Sequence, residues 1–254
     1  DPIHSTQLKN IKDKLRSLNL FKSVQVVEKN IDSNNVNLEI TVEEKQTGTV
    51  NAGVSVGTLD GFAIVAGLNE RNFYGTGRSI KTLLNTSEDK TQISFQTQDR
   101  VFYEDNVDVS INADYKEENF SKTSSYNLNT ASFGFGLKYD LNKKLRHNIS
   151  LDYVLKDYII TNNQTVSSTI GNSSGSNASF LLSNDLSYST LNSYFRPSEG
   201  ESFIFSNIIE TPTSSSNGYV KNLLTLKKYV KIKKNIFSNQ TRFGNIFSLA
   251  NNDI

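Results

Sequence analysis

The chain of 254 residues contains no cysteine and no methionine. Without cysteine there is no disulfide framework and no thiolate zinc site, although that absence alone does not identify a reducing compartment. Methionine is missing even at position 1, and no secretory leader precedes Asp1; we expect the chain to have been cut from something longer. No window approaches about 18 consecutive apolar residues, which excludes a membrane-spanning helix. Charge of one sign is also missing, since the net charge is only +1. Whole-molecule electrostatics therefore predicts neither nucleic-acid binding nor steering of acidic partners. The two histidines, His4 and His147, stand far apart with no nucleophile pattern nearby. Gly75-Thr76-Gly77 is a fragment of a dinucleotide fingerprint, but it sits between two strand patterns where that fingerprint needs a strand-to-helix turn. The expectation is no catalytic residue, no metal and no cofactor, hence no enzyme. The Asn-x-Ser/Thr triplets, such as Asn148 to Ser150, reflect an Asn-rich composition rather than glycosylation.

What is present is alternation. Hydrophobic residues make up 36% of the chain and mean hydropathy is −0.44, low for a compact core of this size. Yet Phe62, Ile64, Ala66 and Leu68 fall on one side of their segment, with Gly67 and Asn69 on the other. That is the mark of a strand meeting an apolar medium on one face only. Around 107–116, Val107, Val109, Ile111, Ala113 and Tyr115 oppose Asp108, Ser110, Asn112, Asp114 and Lys116. Around 148–156, Ile149, Leu151, Tyr153 and Leu155 oppose Asn148, Ser150, Asp152 and Lys156. From Thr47 onward the pattern predicts about eleven such strands in an antiparallel meander. A soluble sandwich alternates too, but charges at inward positions would be ruinous in its dry core. A water-filled barrel lumen tolerates them. About ten residues at roughly 3.3 Å each, tilted near 40°, span about 25 Å, the apolar band of an outer-membrane barrel.

The connections point the same way. Alternate ones are long and polar (NTSEDK, KEENFSKTSS, the run 161–177, TPTSSSNG). The others are shorter (NFYGTG, VFYEDN, LNKKLR, YFRPSEG, KIKKN), an asymmetry typical of outer-membrane barrels. Phe73, Tyr74, Phe102, Tyr103, Tyr139 and Tyr229 near strand ends would suit interfacial girdles, or simply follow the preference of aromatics for strand ends. Lys227, Lys228, Lys231, Lys233 and Lys234 cluster at one short turn, where they either meet anionic head groups or stand solvated. An odd strand count and unpaired edges in lipid imply further strands beyond Ile254.

Residues 1–46 differ in character. Leu8, Ile11, Leu15 and Leu18 give one apolar helix face, with Asp1-Pro2 as a start, Ser5 or Thr6 as an alternative cap, and Asn19 as the stop. FKSVQVVEKN and VNLEITVEE alternate as two strands around the turn residues Asp32 to Asn35. One helix and two strands are too small a core to stand alone, so the unit reads as the back half of a module.

An α/β half-module joined to such a meander resembles the POTRA-plus-barrel superfamily of outer-membrane assembly and polypeptide-transport proteins, and within it the β-barrel assembly (BamA-like) family. LRSLNLFKSVQVV is similar to the Leu-x-x-Leu-Gly-Phe-Phe-x-x-Val segment of that family's last POTRA domain, with Asn19-Leu20 where Gly-Phe is usual. VEEKQTGTVNAGVSVGTLDGFAIVAGLNERNFYGTGRSI resembles the junction and first strands, including the turn residues Asn72, Phe73, Gly75 and Gly77. RPSEGESF, with Arg196, Pro197 and Gly200, resembles a periplasmic turn of the family. The resemblance implies residues 1–46 as the C-terminal half of the last POTRA domain, in the periplasm. It implies 47–254 as the N-terminal part of a sixteen-stranded transmembrane barrel in a Gram-negative outer membrane. It further implies unfolded outer-membrane protein clients, periplasmic accessory lipoproteins and outer-membrane lipid as partners, and a lateral gate at a weakly paired first strand. The family's Val-Arg-Gly-Phe loop motif is not in this chain.

That first strand carries Val50, Ala52, Gly53, Val54, Ser55, Val56 and Gly57. Its small residues offer little cross-strand packing, so its edge could pair with an incoming strand. From the residues alone, the small side chains could equally relieve crowding where a curved barrel meets the α/β unit. The resemblance favours the gate. It also leaves two other classes open, a two-partner-type secretion transporter of the same superfamily and a passive porin or receptor barrel.

Overall fold

The computed structural model describes residues 5–31, 36–57, 61–103, 107–162, 164–193, 195–213 and 218–249. The expected Asp1-Pro2 helix start, His4, the turn at 32–35, most of the TLDG turn and the chain end at 251–254 lie outside the described residues.

Helix α1 (Ser5–Ser17) already includes Ser5 and Thr6 as helical residues. It turns Leu8, Ile11 and Leu15 toward β1. Its end is set by Asn19, whose backbone is left-handed at φ 58° and whose N–H donates to the Arg16 carbonyl at 3.0 Å. Asparagine tolerates that conformation better than any residue but glycine, which explains how the chain manages without glycine there. β1 (Phe21–Asn30) and β2 (Val36–Glu44) pair antiparallel with Val24 opposite Val42. Val24, 3% exposed, is the most buried apolar residue of the described chain.

The remainder is one antiparallel sheet of eleven strands in strict chain order. They are β3 (Thr49–Gly57), β4 (Gly61–Glu70), β5 (Ser79–Thr86), β6 (Lys90–Tyr103), β7 (Val107–Asn119) and β8 (Tyr126–Asp140). Then follow β9 (Leu145–Ile160), β10 (Gly175–Ser189), β11 (Gly200–Pro212), β12 (Tyr219–Ile232) and β13 (Asn235–Ser248). Every strand pairs only with its neighbours in sequence, so β3 and β13 are the two edges.

Side chains that reach over an intervening strand mark the concave face. Asn112 on β7 bonds Asp152 on β9 at 2.9 Å, and Lys156 on β9 bonds Glu210 on β11 at 3.0 Å. The same face holds Gln98 bonded to Asp108 at 2.9 Å and Lys138 bonded to Asp108 at 3.0 Å. The convex face is apolar and open: Phe133 is 60% exposed, Leu151 50% and Phe243 59%. Among the described residues only Val24, Val109 and Val154 are buried apolar side chains. A soluble sandwich would need a second sheet and a dry core between the two; this sheet has polar pairs on its inside and apolar side chains outside. It is mainly β, the wall of a transmembrane barrel rather than half of a sandwich.

Three expectations change. Strands are not uniformly about ten residues: β3 to β5 have 9, 10 and 8, whereas β6 to β13 have 13 to 16. Stretches assigned to loops, such as 116–119 and 175–177, continue the ladder instead, because polar residues above an apolar band can still pair as strands. The expected one-sided length of the connections therefore shrinks to a single long example, 161–174, while 190–199 on the opposite side is also long. Third, Tyr229 pairs opposite Gly200 and Ser238 and alternates onto the face of Thr225 and Lys227, so it does not join an outer girdle. Tyr139 does face outward, with its hydroxyl 2.6 Å from His147 Nδ1.

Candidate functional site: the first-strand edge and its anchor

Every residue of β3 is exposed. Val50, Val54 and Val56 on its convex side are 80%, 72% and 83% exposed. Gly53 lies opposite Val65 of β4, and a Cβ added at Gly53 would meet nothing within 4 Å. Among the described residues, crowding gives no reason for a glycine there. What its absence of side chain does is thin the strand: Asn51, Gly53, Ser55 and Gly57 line one side of β3, and Ala52 interrupts the valines on the other. Only one side of β3 pairs, with β4. Its far side carries backbone donors and acceptors that pair with no other described strand.

The base of this strand is anchored from the other end of β4. Thr47, 6% exposed, donates its hydroxyl to the Glu70 carboxylate. The same carboxylate accepts the Asn72 N–H at 2.7 Å. Gly48 leaves room for this carboxylate, because a Cβ there would lie 2.7 Å from Glu70 Oε2 and push it aside. Asn72 then closes the expected turn, its Oδ1 accepting the Gly77 N–H at 2.7 Å, while Phe73 N–H donates to the Arg78 carbonyl at 2.8 Å. Tyr74, Gly75 and Gly77 all have positive φ, and Gly75 lies beside the Glu44 carboxylate at the end of β2. So Asn72, Phe73, Gly75 and Gly77 come together as one turn at the foot of β4 and β5, next to the end of the α/β unit.

The second turn motif is remote from this edge. Arg196 N–H donates to Ser193 Oγ at 3.2 Å, and Asn192 Oδ1 accepts from the Ser198 and Glu199 N–H groups at 3.0 and 3.2 Å. Gly200 has φ 104° and a Cβ there would stand 2.4 Å from the Thr190 carbonyl, so glycine is required. Pro197 lies within this exposed loop. It shares a sheet side with the Asn72 turn, yet belongs to the β10–β11 connection.

Residue reading missed Glu70 and Asn192, both buttresses of turns already singled out. It also missed a row on the convex face: Asn184, Asn207, Asn222 and Asn245 stand in register across β10 to β13. Asn207 Nδ2 donates to Asn222 Oδ1 at 2.7 Å, and Asn222 Nδ2 to Asn245 Oδ1 at 3.0 Å. A polar residue at a convex position in four successive strands was the available signal. Among the described residues no group of three or more His, Cys, Asp or Glu side chains could hold a metal ion.

A family model described as the Omp85 superfamily domain matches residues 72–254. The chain is similar to the outer membrane protein assembly factor BamA of Buchnera aphidicola subsp. Acyrthosiphon pisum, 25% identical over 143 residues, 55% of this chain and 23% of the relative. It is similar in the same way to the outer membrane protein assembly factor BamA of Neorickettsia risticii, 25% identical over 195 residues, 76% of this chain and 26% of the relative. Its fold matches the crystal structure of BamA from Haemophilus ducreyi lacking POTRA domains 1–3, with a TM-score of 0.78 at 19% identity over 96% of this chain and 50% of that one. It also matches CdiB from Acinetobacter baumannii, with a TM-score of 0.54 at 11% identity over 98% of this chain and 51% of that one. The chain thus spans about a quarter of the length of the curated relatives it matches.

Proposed function

The chain belongs to the Omp85 superfamily, and from that premise we propose that it is the first part of a barrel that assembles other β-barrel proteins into a bacterial outer membrane. The β3 edge templates the incoming client strand. Support comes from the name that the curated relatives share, outer membrane protein assembly factor, and above all from one observation, the run of small residues Ala52, Gly53, Ser55 and Gly57 that thins β3, with open space beside Gly53.

The energetics favour exchange at this edge. An edge strand of 9 residues leaves roughly half its backbone groups unpaired, and each unpaired group in hydrocarbon costs several kcal/mol. The edge therefore has to be paired at all times, either with the strand that closes the barrel or with another chain. A partner strand with weak side-chain packing is the easier one to replace, because backbone bonds to the newcomer repay those that are lost. A client strand added here has its own backbone satisfied before it closes. The short strands reinforce this: 8 residues in β5 reach about 21 Å along the membrane normal, and 14 in β6 about 36 Å, for a tilt near 40°. A low wall beside the edge would thin the adjacent bilayer.

On this reading the α1–β1–β2 unit is the end of a periplasmic POTRA domain, held beside the turn at Asn72 to Gly77. The partners are unfolded outer-membrane proteins, periplasmic accessory lipoproteins and outer-membrane lipid. A second reading, a secretion transporter of the two-partner kind, rests on the fold match to CdiB, which is weaker than that to BamA (TM-score 0.54 against 0.78). A passive porin has no use for the α/β unit. The test uses the full-length parent in liposomes with an unfolded porin, followed by its heat-modifiable gel shift. Faster folding than in empty liposomes supports assembly. No acceleration, with accessory proteins supplied, contradicts it and favours the transporter.

A further inference from the structure

The β12–β13 hairpin is charged in a way the rest of the molecule is not. Between Thr211 and Asn252 the sequence has no Asp or Glu, yet it carries six lysines and Arg242, in a chain whose net charge is +1. Five of those lysines, Lys227, Lys228, Lys231, Lys233 and Lys234, fall in the last residues of β12 and the turn between Ile232 and Asn235, with Lys228 on the convex face and Lys227 and Lys231 on the concave one. None of the five makes an ion pair among the described residues. Solubility alone calls for mixed signs, and this stretch carries positive charge only. Lys233 also sits at φ 56°, a hairpin position where glycine or asparagine costs less. Lys233 is held here against backbone preference.

Beside this turn, on the convex face, is a groove of about 430 Å³. Tyr188, Phe203 and Leu226 stand in one row across β10, β11 and β12 and form its apolar floor; Lys228, on the same face, closes the end nearest the turn. Its one carboxylate, Glu201, lies opposite Lys228 in the ladder without an ion pair between them among the described residues. An apolar slot ending in ammonium groups complements an acyl chain ending in a phosphate.

We propose that this groove binds an anionic phospholipid, its acyl chain along Tyr188, Phe203 and Leu226 and its phosphate on Lys228, on the side of the turn lysines Lys233 and Lys234. The inference rests on the orientation proposed above, in which this turn faces the periplasm, because that leaflet of an outer membrane supplies phospholipid. A bound lipid here would order the membrane on the far side of the wall from the β3 edge.

The test places the full-length parent in phosphatidylcholine nanodiscs doped with spin-labelled phosphatidylglycerol or phosphatidylcholine and reads the motionally restricted fraction. We expect phosphatidylglycerol to be preferred by on the order of tenfold, and the Lys228→Gln variant to lose most of that preference, about fivefold for the one lysine. Equal retention of both lipids, or a preference the variant keeps, overturns the proposal. Competition by millimolar inorganic phosphate would show a free-anion site instead and overturns it as well. Client folding is not part of this readout, so its failure leaves the result standing. A label at Asn235→Cys, reached only from the outer side, would overturn the orientation and with it the source of the lipid, while leaving headgroup selectivity measurable.

Discussion

Asn112 and Asp152 are joined by a 2.9 Å hydrogen bond although a whole strand lies between them. They reach each other over β8 because Gly134, paired with both, has no side chain. A Cβ at Gly134 would lie 1.7 Å from Asp152 Oδ1 and 2.8 Å from Asn112 Nδ2. Ser150 donates a second bond to the same carboxylate at 3.1 Å. The concave wall is therefore tied across alternate strands, which favours the curvature of the sheet.

Gly134→Ala should break this tie and destabilise the barrel by about 1–3 kcal/mol, the usual range for a disrupted polar network. Urea unfolding followed by heat-modifiable mobility measures it. Gly53→Ala, where a Cβ meets nothing, should shift the midpoint little. Equal effects at both sites would contradict the wall geometry.

The asparagine row predicts a second effect. Asn222 accepts from Asn207 and donates to Asn245. Apolar rows flank it on both sides, Leu182, Ile209, Val220 and Phe247 on one and Leu186, Phe205, Leu224 and Phe243 on the other. Asn222→Leu adds apolar surface to an apolar band, yet it should destabilise by about 1–3 kcal/mol, because two amides lose their partners in hydrocarbon. Unfolding in vesicles reads this, and a stabilised variant would contradict a row lying within the band.

Much of this architecture was legible in the residues. Alternation from Phe62 to Leu68 and through 107–116 announced the strands, and the eleven-strand count follows from it. The helix stop at Asn19 and the turn at Asn72 to Gly77 were equally readable, since both rest on local backbone chemistry. What alternation does not carry is where a strand ends. Lys116 to Asn119 look like loop residues but remain paired with β8, because beyond the apolar band a ladder needs no apolar face. Nor does it carry contacts across a skipped strand: nothing near Gly134 in sequence signals Asp152. The β3 edge was visible as a run of small residues, but its open surroundings at Gly53 required coordinates.

The anchor at the base of β3 gives a local prediction. Thr47→Val removes the hydroxyl that Glu70 accepts and leaves Gly48 and the end of β2 less restrained. Limited proteolysis should cut faster around residues 45–49, by a few-fold for about 1 kcal/mol of local opening, with barrel heat-modifiability unchanged. Unchanged cleavage would contradict an anchoring role.

Gly53→Val adds β-propensity worth up to about 1 kcal/mol to the edge strand. It should hold β3 more firmly to whatever strand it pairs with and slow client folding several-fold at equal barrel abundance. Unaltered client folding rates would count against exchange at this strand.

The most direct test of the proposed templating is strand-by-strand disulfide crosslinking during client folding. The chain has no cysteine, so single cysteines placed from Val50 to Gly57 in the parent can be scanned against cysteines in the client's terminal strand. Templating by β3 predicts crosslinks in one fixed register, which shift by one client residue for each step along β3 and vanish when folding is complete. Crosslinks confined to the connections, or none along β3 while folding is accelerated, would contradict it.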